Sequence, residues 1–281
     1  MSRIEIKNIT KKFGDVTALN NVTLSLEGSH IYGLLGRNGA GKTTLLNLIT
    51  GRMFPTEGEI RIDGEKVLEN DRALSKMYCM SELNLYPERM RVRDAFRWSA
   101  EFFPNFDKEY AQELCEKFEL KTNLKIRNLS TGYASVFKII VALSCGTEIV
   151  LFDEPVLGLD ANHRELFYKE LIQNFSDHPR TIVLSTHLIE EVAGIIDRVV
   201  MIKNGELVMD SDVEEVLNTG YSVGGPAAEV DEYVKGKKVL GCDMLGGYKS
   251  AYLPGKPENV PEGLTVGKLE LQKLFIQLTN A

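Results

Sequence analysis

Several features that define other classes of protein are missing from this 281-residue sequence. Its four cysteines include no C-x-x-C pair, so neither a zinc site nor a disulfide framework is indicated, and a reducing compartment fits better. No run of 18 consecutive apolar residues occurs, so the sequence predicts no membrane-spanning helix. The net charge of −7 argues against a broad nucleic-acid-binding surface, and we expect no nucleic-acid partner.

One glycine-rich segment is complete at every position of the G-x-x-x-x-G-K-[ST] pattern: Gly36-Arg37-Asn38-Gly39-Ala40-Gly41-Lys42-Thr43. It follows the apolar run 31–35 and precedes a helical pattern that starts at Thr44. Glycines let successive backbone N–H groups turn inward around an anion, and the helix N-terminus adds partial positive charge. Lys42 can then reach the β- and γ-phosphates, and the Thr43 hydroxyl can ligate Mg²⁺. The segment predicts a nucleoside-triphosphate site; the alternative is a plain turn between a strand and a helix.

The order of apolar patterns predicts an α/β fold. Residues 3–26 alternate as strands, and strands then alternate with helices up to about residue 210, which implies a largely parallel sheet covered by helices. Amphipathic helices are expected at 92–103 and 107–120, and a further helix at 133–144, within a helical insertion over about 84–145. A further helix is expected at 188–196.

The composition changes after Asn218, and we expect two domains, 1–218 and 219–281. Residues 220–255 hold eight glycines. Helices are predicted at 227–235 and 270–279, strands at 237–240 and 248–253, and a capping box at Ser211-Asp212-Val213-Glu214. This small α+β appendage is expected to pack on the main domain or on a second copy of itself.

Three further segments carry candidate chemistry. A buried strand ends in Asp153 and Glu154, which suits an Asp that holds Mg²⁺ and a Glu that acts as general base, or simply a pair of surface carboxylates. His187 ends the strand 181–185 and can contact a γ-phosphate, although a lone histidine there is more often packed or solvated. Residues 129–133 suit anion binding at a helix start, or a serine cap alone.

Together and in this order, the motifs resemble the nucleotide-binding subunit of an ABC transporter over about residues 1–217. Phe13, with Val16 beside it, corresponds to the aromatic A-loop that stacks on adenine. Residues 36–43, followed by Thr44, correspond to Walker A, 149–153 to Walker B, and Glu154 to the catalytic glutamate. Gly158-Leu159-Asp160 resembles the D-loop, His187 the switch histidine, and Leu129 to Tyr133 the LSGGQ signature.

The resemblance implies a P-loop cassette with a mixed core sheet, an N-terminal antiparallel β-subdomain and a helical subdomain. It implies ATP and Mg²⁺ as ligands, with Glu154 and His187 catalytic and Thr43, Glu82 and Asp153 at the metal. Two cassettes, identical or different, would bind ATP between Walker A of one and the Ser130 to Gly132 segment of the other, near Asp160. Transmembrane permease subunits would be the further partners. The expected location is cytoplasmic, on the inner face of the membrane.

Three departures from the family pattern stand out. The signature has Thr131 for a usual glycine and Tyr133 for glutamine, and the basic run that normally follows is replaced, with Lys138 as the first cation. The position that usually holds the Q-loop glutamine is Glu82, which can ligate Mg²⁺ but adds negative charge beside the γ-phosphate. We therefore expect a competent ATPase that is slow or gated by its partner.

The signature spelling and residues 155–160 resemble bacterial exporter cassettes linked to peptide-antibiotic or lantibiotic resistance, so export of a peptide, antibiotic or drug is expected. Two alternatives stay open. A non-transport ATPase of the same family, acting in translation or DNA repair, would need two cassettes or long heptad arms, and neither pattern is present. A binding module without chemistry is disfavoured by Glu154.

Overall fold

The computed structural model describes residues 2–280, with side chains described to residue 276. In chain order the strands are β1 (Ile4–Phe13), β2 (Val16–Leu26), β3 (Ile31–Leu35), β4 (Glu57–Ile62), β5 (Glu65–Lys66), β6 (Met77–Met80), β7 (Ile149–Asp153), β8 (Thr181–Thr186), β9 (Arg198–Lys203), β10 (Glu206–Asp212), β11 (Gly220–Pro226), β12 (Gly241–Leu245), β13 (Tyr248–Pro254) and β14 (Thr265–Lys268). The helices are α1 (Lys42–Ile49), α2 (Asp71–Leu74), α3 (Val92–Phe102), α4 (Lys108–Lys117), α5 (Thr131–Ser144), α6 (Ala161–Asp177), α7 (Ile189–Val192), α8 (Val213–Leu217), α9 (Ala227–Val234) and α10 (Leu271–Asn280), with a 3₁₀ turn at Ile126–Asn128.

The chain separates into two compact units. The first contains Met1–His187 and Val200–Val208, and the second contains Leu188–Val199 and Met209–Ala281. The division expected after residue 218 stays a prediction. Among residues 2–280, no helix has both the length and the apolar character needed to cross a membrane.

The first unit begins with a four-stranded antiparallel sheet in the order β2-β1-β4-β5. Ile4 and Ile6 of β1 point into the core, while the residues between and beside them are more exposed, as the period of two requires. Gly14, at φ +57°, turns β1 into β2 and pairs Phe13 with Val16 at the tip of this hairpin. The predicted N-terminal antiparallel strands are therefore confirmed.

A six-stranded sheet has the order β10-β9-β3-β8-β7-β6, and its strands β3, β8, β7 and β6 lie wholly within the first unit. Strands β3, β8, β7 and β6 are parallel neighbours, and every residue of β3, β7 and β8 is buried. Continuous burial is expected of parallel strands that are covered on both faces. The expected parallel core is thus confirmed, and the carboxyl ends of β3, β7 and β8 lie along one edge.

The helical region of the first unit contains α3, α4 and α5, which confirms the three predicted helices with shifted ends. Asp107 caps α4, because its carboxylate accepts a hydrogen bond from Tyr110 N at 2.8 Å. The helix ends early, at Lys117, since Glu119 adopts a left-handed backbone at φ +54°. Lys117 Nζ then donates to the buried Glu170 of α6 at 2.8 Å, which ties this region to the core.

The second unit is built on a four-stranded sheet in the order β12-β13-β11-β14. All three pairings, β11 with β13, β11 with β14 and β12 with β13, are antiparallel. Its core consists of six side chains from β11, α9 and β13: Tyr221, Val223, Val230, Tyr233, Ala251 and Leu253. The expected helices at 227–235 and 270–279 and the strand at 248–253 are confirmed as elements.

Three expectations for residues 188–281 were wrong, and one strand was missed. The strand predicted at 237–240 lies at Gly241–Leu245, where four of the five residues are exposed and so give no alternating pattern. Strand β11 escaped prediction because glycines interrupt it; a Cβ on Gly224 would lie 2.7 Å from Tyr248 Oη. The helix expected at 188–196 is only Ile189–Val192. The N-cap of α8 is Asp212 rather than Ser211, because β10 continues to Asp212, where Arg198 pairs with Asp210 and Asp212.

Candidate functional site

The glycine-rich segment forms a tight turn between β3 and α1. A Cβ on Gly41 (φ +110°) would lie 2.7 Å from Ala18 O, and a Cβ on Gly36 would lie 2.7 Å from Ile202 O. Both positions therefore accept only glycine without movement of the backbone around them. The turn delivers the first N–H groups of α1, which have no partners within the helix, to the edge of the sheet.

Lys42, the first residue of α1, has a buried side chain. Its ammonium donates to Gly36 O at 2.7 Å and lies 3.7 Å from the Glu154 carboxylate. Burial lowers the pKa of Lys42, and the negative charges of Glu154 and Asp153 partly oppose that shift. A buried cation with these partners is suited to meet further negative charge, such as phosphate.

Asp153 and Glu154 end β7 beside β8. Asp153 is buried, and its carboxylate accepts a hydrogen bond from Ser185 Oγ at 2.9 Å, its neighbour in register. Glu154 has a left-handed backbone at φ +49°, a conformation that costs a non-glycine residue on the order of 1 kcal/mol and is common at functional sites. Thr186 Oγ1 donates to Glu154 Oε2 at 3.3 Å.

His187 follows directly after β8 and is partly exposed. Its Nδ1 lies 3.0 Å from Glu154 Oε2 and 3.1 Å from Oε1. Because an ionised carboxylate only accepts hydrogen bonds, Nδ1 of His187 is the donor in its hydrogen bond with Glu154. The pair fixes the ring of His187 against Glu154.

These side chains line one cleft of about 400 Å³. Its walls are Ala18, Asn38, Gly39, Ala40, Gly41, Lys42, Thr43, Thr44, Glu82, Glu154, Leu157 and His187. Ten of these twelve are residues predicted from the sequence; Ala18 and Leu157 are not. Gly36 and Asp153 adjoin the cleft through Lys42 and Glu154.

Phe13 and Val16 do not line the cleft. They sit at the exposed tip of the β1–β2 hairpin, where Lys11 Nζ lies 4.9 Å from the centre of the Phe13 ring. Arg37 is exposed beside the glycine turn. The Phe13 side chain is therefore about half exposed at the hairpin tip, with the Lys11 ammonium over its ring.

The signature residues also lie outside the cleft. Ser130 caps α5, because its Oγ accepts from Tyr133 N at 3.3 Å. A Cβ on Gly132 would lie 2.8 Å from Gly158 O, so α5 begins in close contact with residues 156–160. Asp160 caps α6 by accepting from His163 N at 2.9 Å, and this hydrogen bond is the largest cause of its lowered pKa.

Aromatic contacts around His163 were not predicted from the sequence. His163 Nδ1 lies 2.9 Å from Asp160 Oδ2, and its ring stacks on Phe118 and meets the edge of Tyr133. The sequence distinguishes Tyr133 only as a departure from the signature pattern. Its contact with His163 connects the start of α5 to the start of α6.

Lys138 and Ser185 were also missed as site residues. Lys138 Nζ donates to Ser81 O at 2.9 Å and to Glu82 O at 2.5 Å. Burial lowers the pKa of Lys138, partly opposed by the charge of Glu82. Ser185 lies two residues before His187, at the end of β8, and this position could have indicated from the sequence that its hydroxyl lies near the site.

Comparisons with known proteins agree with this geometry. A family model described as ABC transporter matches residues 19–157. The chain is 32% identical over 219 residues to the uncharacterized ABC transporter ATP-binding protein YhaQ of Bacillus subtilis, covering 76% of this chain and 72% of that protein. It is 27% identical over 256 residues to the ABC transporter ATP-binding protein YtrB of the same species, covering 91% and 88%.

A solved structure is similar as well. The dimeric structure of MJ0796, a bacterial ABC transporter cassette, superposes with a TM-score of 0.66 at 27% identity. The alignment covers 75% of this chain and 98% of the MJ0796 chain.

Proposed function

Because this chain belongs to the ABC transporter ATP-binding proteins, we propose that it hydrolyses ATP as one of two cassettes that drive a separate membrane permease. One observation carries the proposal: Lys42, Glu154 and His187, from three distant parts of the sequence, meet in the cleft that the glycine turn borders. That set supplies a phosphate-binding cation, a proton acceptor and a group that orients it.

The chain's own residues have separable roles. Lys42 and the N–H groups at the start of α1 bind the β- and γ-phosphates. Glu154 accepts a proton from the attacking water, held for this by Thr186 Oγ1 at 3.3 Å and His187 Nδ1 at 3.0 Å. Phe13 stacks on the adenine ring.

The donors near the cleft fit Mg²⁺. They are hard oxygen ligands: the Thr43 hydroxyl and the carboxylates of Asp153 and Glu82. Among residues 2–280 there is no group of three or more His, Cys, Asp or Glu residues that could hold a metal alone. Mg²⁺ is commonly held by one or two carboxylates together with substrate phosphates and water. When bound, Mg²⁺ would neutralise charge on the β- and γ-phosphate oxygens.

A second cassette, identical or different, completes the site. Support comes from the positions of Ser130, Gly132 and Asp160: they do not line the cleft of their own chain, and Ser130 and Asp160 are exposed. The similar MJ0796 cassette is described as dimeric. A closed dimer with two ATP molecules then opens after hydrolysis.

We propose export as the direction, with a peptide, antibiotic or drug as cargo and the chain held at the inner face of the membrane by its permease. Support comes from the resemblance of residues 129–133 and 155–160 to exporter cassettes. The chain is also 27% identical over 248 residues to the Nod factor export ATP-binding protein I of Sinorhizobium fredii. Relatives named for nucleoside and arabinose import match too, so a transport assay in vesicles with the permease should read both directions.

A binding and hydrolysis assay tests the core proposal. The wild-type chain should bind ATP and release phosphate in the presence of Mg²⁺. Lys42→Met removes the buried cation and should raise the Kd for ATP by at least about tenfold, equal to about 1.4 kcal/mol. Lys121→Met, which removes an exposed lysine elsewhere in the first unit, is the matched control. Equal ATP affinity in all three proteins would refute the assigned phosphate site.

A further inference from the structure

Lys138 connects the helical region to the edge of the nucleotide cleft. It lies two turns into α5, and its half-buried ammonium donates to the carbonyls of Ser81 (2.9 Å) and Glu82 (2.5 Å). Ser81 and Glu82 follow β6 directly, so one lysine side chain closes the turn that leaves the parallel sheet. Hydrogen bonds from a charged donor are stronger than those from a neutral one.

Glu82 occupies a position shared by two clefts. It lines the 400 Å³ cleft with Lys42 and Thr43, and it also lines an adjoining cleft of about 430 Å³ together with Lys138. Glu154 and Leu157 belong to both clefts as well, so the two spaces adjoin there.

A carboxylate at this place has an electrostatic cost. Glu82 and Glu154 line the cleft that is proposed to receive three phosphates, and Asp153 is the residue next to Glu154. Like charges that share one cleft repel each other, and solvent and salt reduce this repulsion at Glu82, whose side chain is exposed. Lys138 contacts the backbone carbonyl of Glu82 rather than its carboxylate, and it adds positive charge to the adjoining cleft that Glu82 also lines. That charge reduces the repulsion without entering the phosphate cleft.

We propose that Lys138 is a positioning residue for the reaction: it holds the Ser81–Glu82 turn and balances the Glu82 carboxylate when a γ-phosphate is bound. The inference rests on the proposed ATP site. It predicts that Lys138 matters for ligands that carry a γ-phosphate and matters little for ADP. It also predicts that the requirement for Lys138 disappears when Glu82 loses its charge.

A double-mutant cycle in the whole chain tests this. Lys138→Gln keeps a hydrogen-bond donor but removes the charge, Glu82→Gln removes the opposing charge, and the third variant combines both. Binding of the non-hydrolysable ATP analogue AMP-PNP and of ADP, each with Mg²⁺, is measured by calorimetry. We expect Lys138→Gln to raise the Kd for AMP-PNP about tenfold and that for ADP less than about twofold. The double variant should return to within about threefold of wild type.

Two controls separate charge from structure. Lys138→Arg keeps the charge and should bind AMP-PNP within about threefold of wild type, while Lys121→Gln should be unchanged. If Lys138→Gln fails to fold, as judged by thermal melting, Lys138→Met, which also removes the charge, replaces it in the same cycle, and the same loss and rescue are expected.

The overturning results are specific. If Lys138→Gln loses as much AMP-PNP affinity in the Glu82→Gln background as in the wild-type background, the charge-balancing role is refuted. An equal loss for AMP-PNP and ADP would refute it as well. A wild-type chain that binds neither AMP-PNP nor ADP would instead refute the proposed function, because that result concerns the nucleotide site itself and not the role of Lys138.

Discussion

Replacing Glu154 by glutamine removes the proposed general base and the negative charge 3.7 Å from Lys42, but it keeps the shape of the side chain. The side chain keeps its length, and the amide oxygen can still accept the hydrogen bonds from Thr186 Oγ1 and His187 Nδ1. The left-handed backbone at φ +49° is retained, since glutamine meets the same steric limits as glutamate there. Stability should therefore change by less than about 1 kcal/mol.

The effect on turnover should be large. Loss of a positioned general base lowers the rate by about 10²–10⁴-fold, which corresponds to about 3–5 kcal/mol of activation free energy. ATP binding should not weaken, because the variant also removes a negative charge that lies 3.7 Å from Lys42 in the proposed phosphate cleft. ATP should therefore hold a long-lived dimer of about twice the 31.5 kDa mass of one chain.

Phosphate release and gel filtration with Mg²⁺ and ATP measure the two effects. Glu119→Gln is a matched control, because Glu119 is an exposed glutamate with a similar left-handed backbone, φ +54°. The control should hydrolyse ATP at the wild-type rate. Hydrolysis by Glu154→Gln at more than about a tenth of the wild-type rate would show that another group accepts the proton.

Three other substitutions probe separate parts of the chain. Gly132→Ala places a Cβ 2.8 Å from Gly158 O. Turnover measurements should show ATPase activity reduced at least about tenfold, whereas calorimetry should show the Kd of the isolated chain for ATP within about twofold of wild type. Phe13→Ala should cost about 1–3 kcal/mol of ATP affinity but leave the affinity for tripolyphosphate unchanged, because only the base stacks; equal losses for both ligands would contradict the stacking role. Burial raises the pKa of Asp63, but hydrogen bonds from Lys76, Arg3 N and Ser2 outweigh it and lower that pKa to about 2. The stability that Asp63 contributes is therefore present above pH about 4 and is lost as pH falls toward 2. In urea titrations, Asp63→Asn should lower the free energy of unfolding by on the order of 1 kcal/mol at pH 7, after allowance for solvent screening, and by less at pH 2.5. A loss of stability that is the same at both pH values would argue against an ionic origin.

The parallel core and the cleft residues were predictable because each has a strong local cause. Gly36 to Thr43 follows the fully buried strand β3, Asp153 ends β7, and His187 directly follows β8. Because the carboxyl ends of parallel strands lie along one edge of the sheet, these residues come together there. The roles assigned to Ser130, Gly132 and Asp160 remain predictions, since they depend on a second chain.

The remaining errors arose where tertiary contacts outweigh local pattern. Strand β11 contains Gly224 and Gly225, which local propensity disfavours in a strand, but Tyr248 and Leu264 occupy the space that their side chains would take. Lys138 looked like the first cation after an unusual signature, and only the fold brings it to Glu82 O. Contacts between residues 56 positions apart leave no periodic trace in the sequence.

The order of strands in the central sheet also dictates when the nucleotide site can form during synthesis. Strand β3, which leads into the glycine turn, pairs with β8. Ile31 therefore cannot pair with its register partner, Ile182, until β8 has been synthesised. The turn is then closed from the other side by the carbonyl of Ile202, against which Gly36 lies. About 170 residues must therefore leave the ribosome between the first half of the phosphate site and its closure, a separation that makes pairing slow. A nascent chain shorter than about 205 residues lacks the wall that shapes the turn, so ATP can stabilise this protein only after nearly the whole first unit has been made.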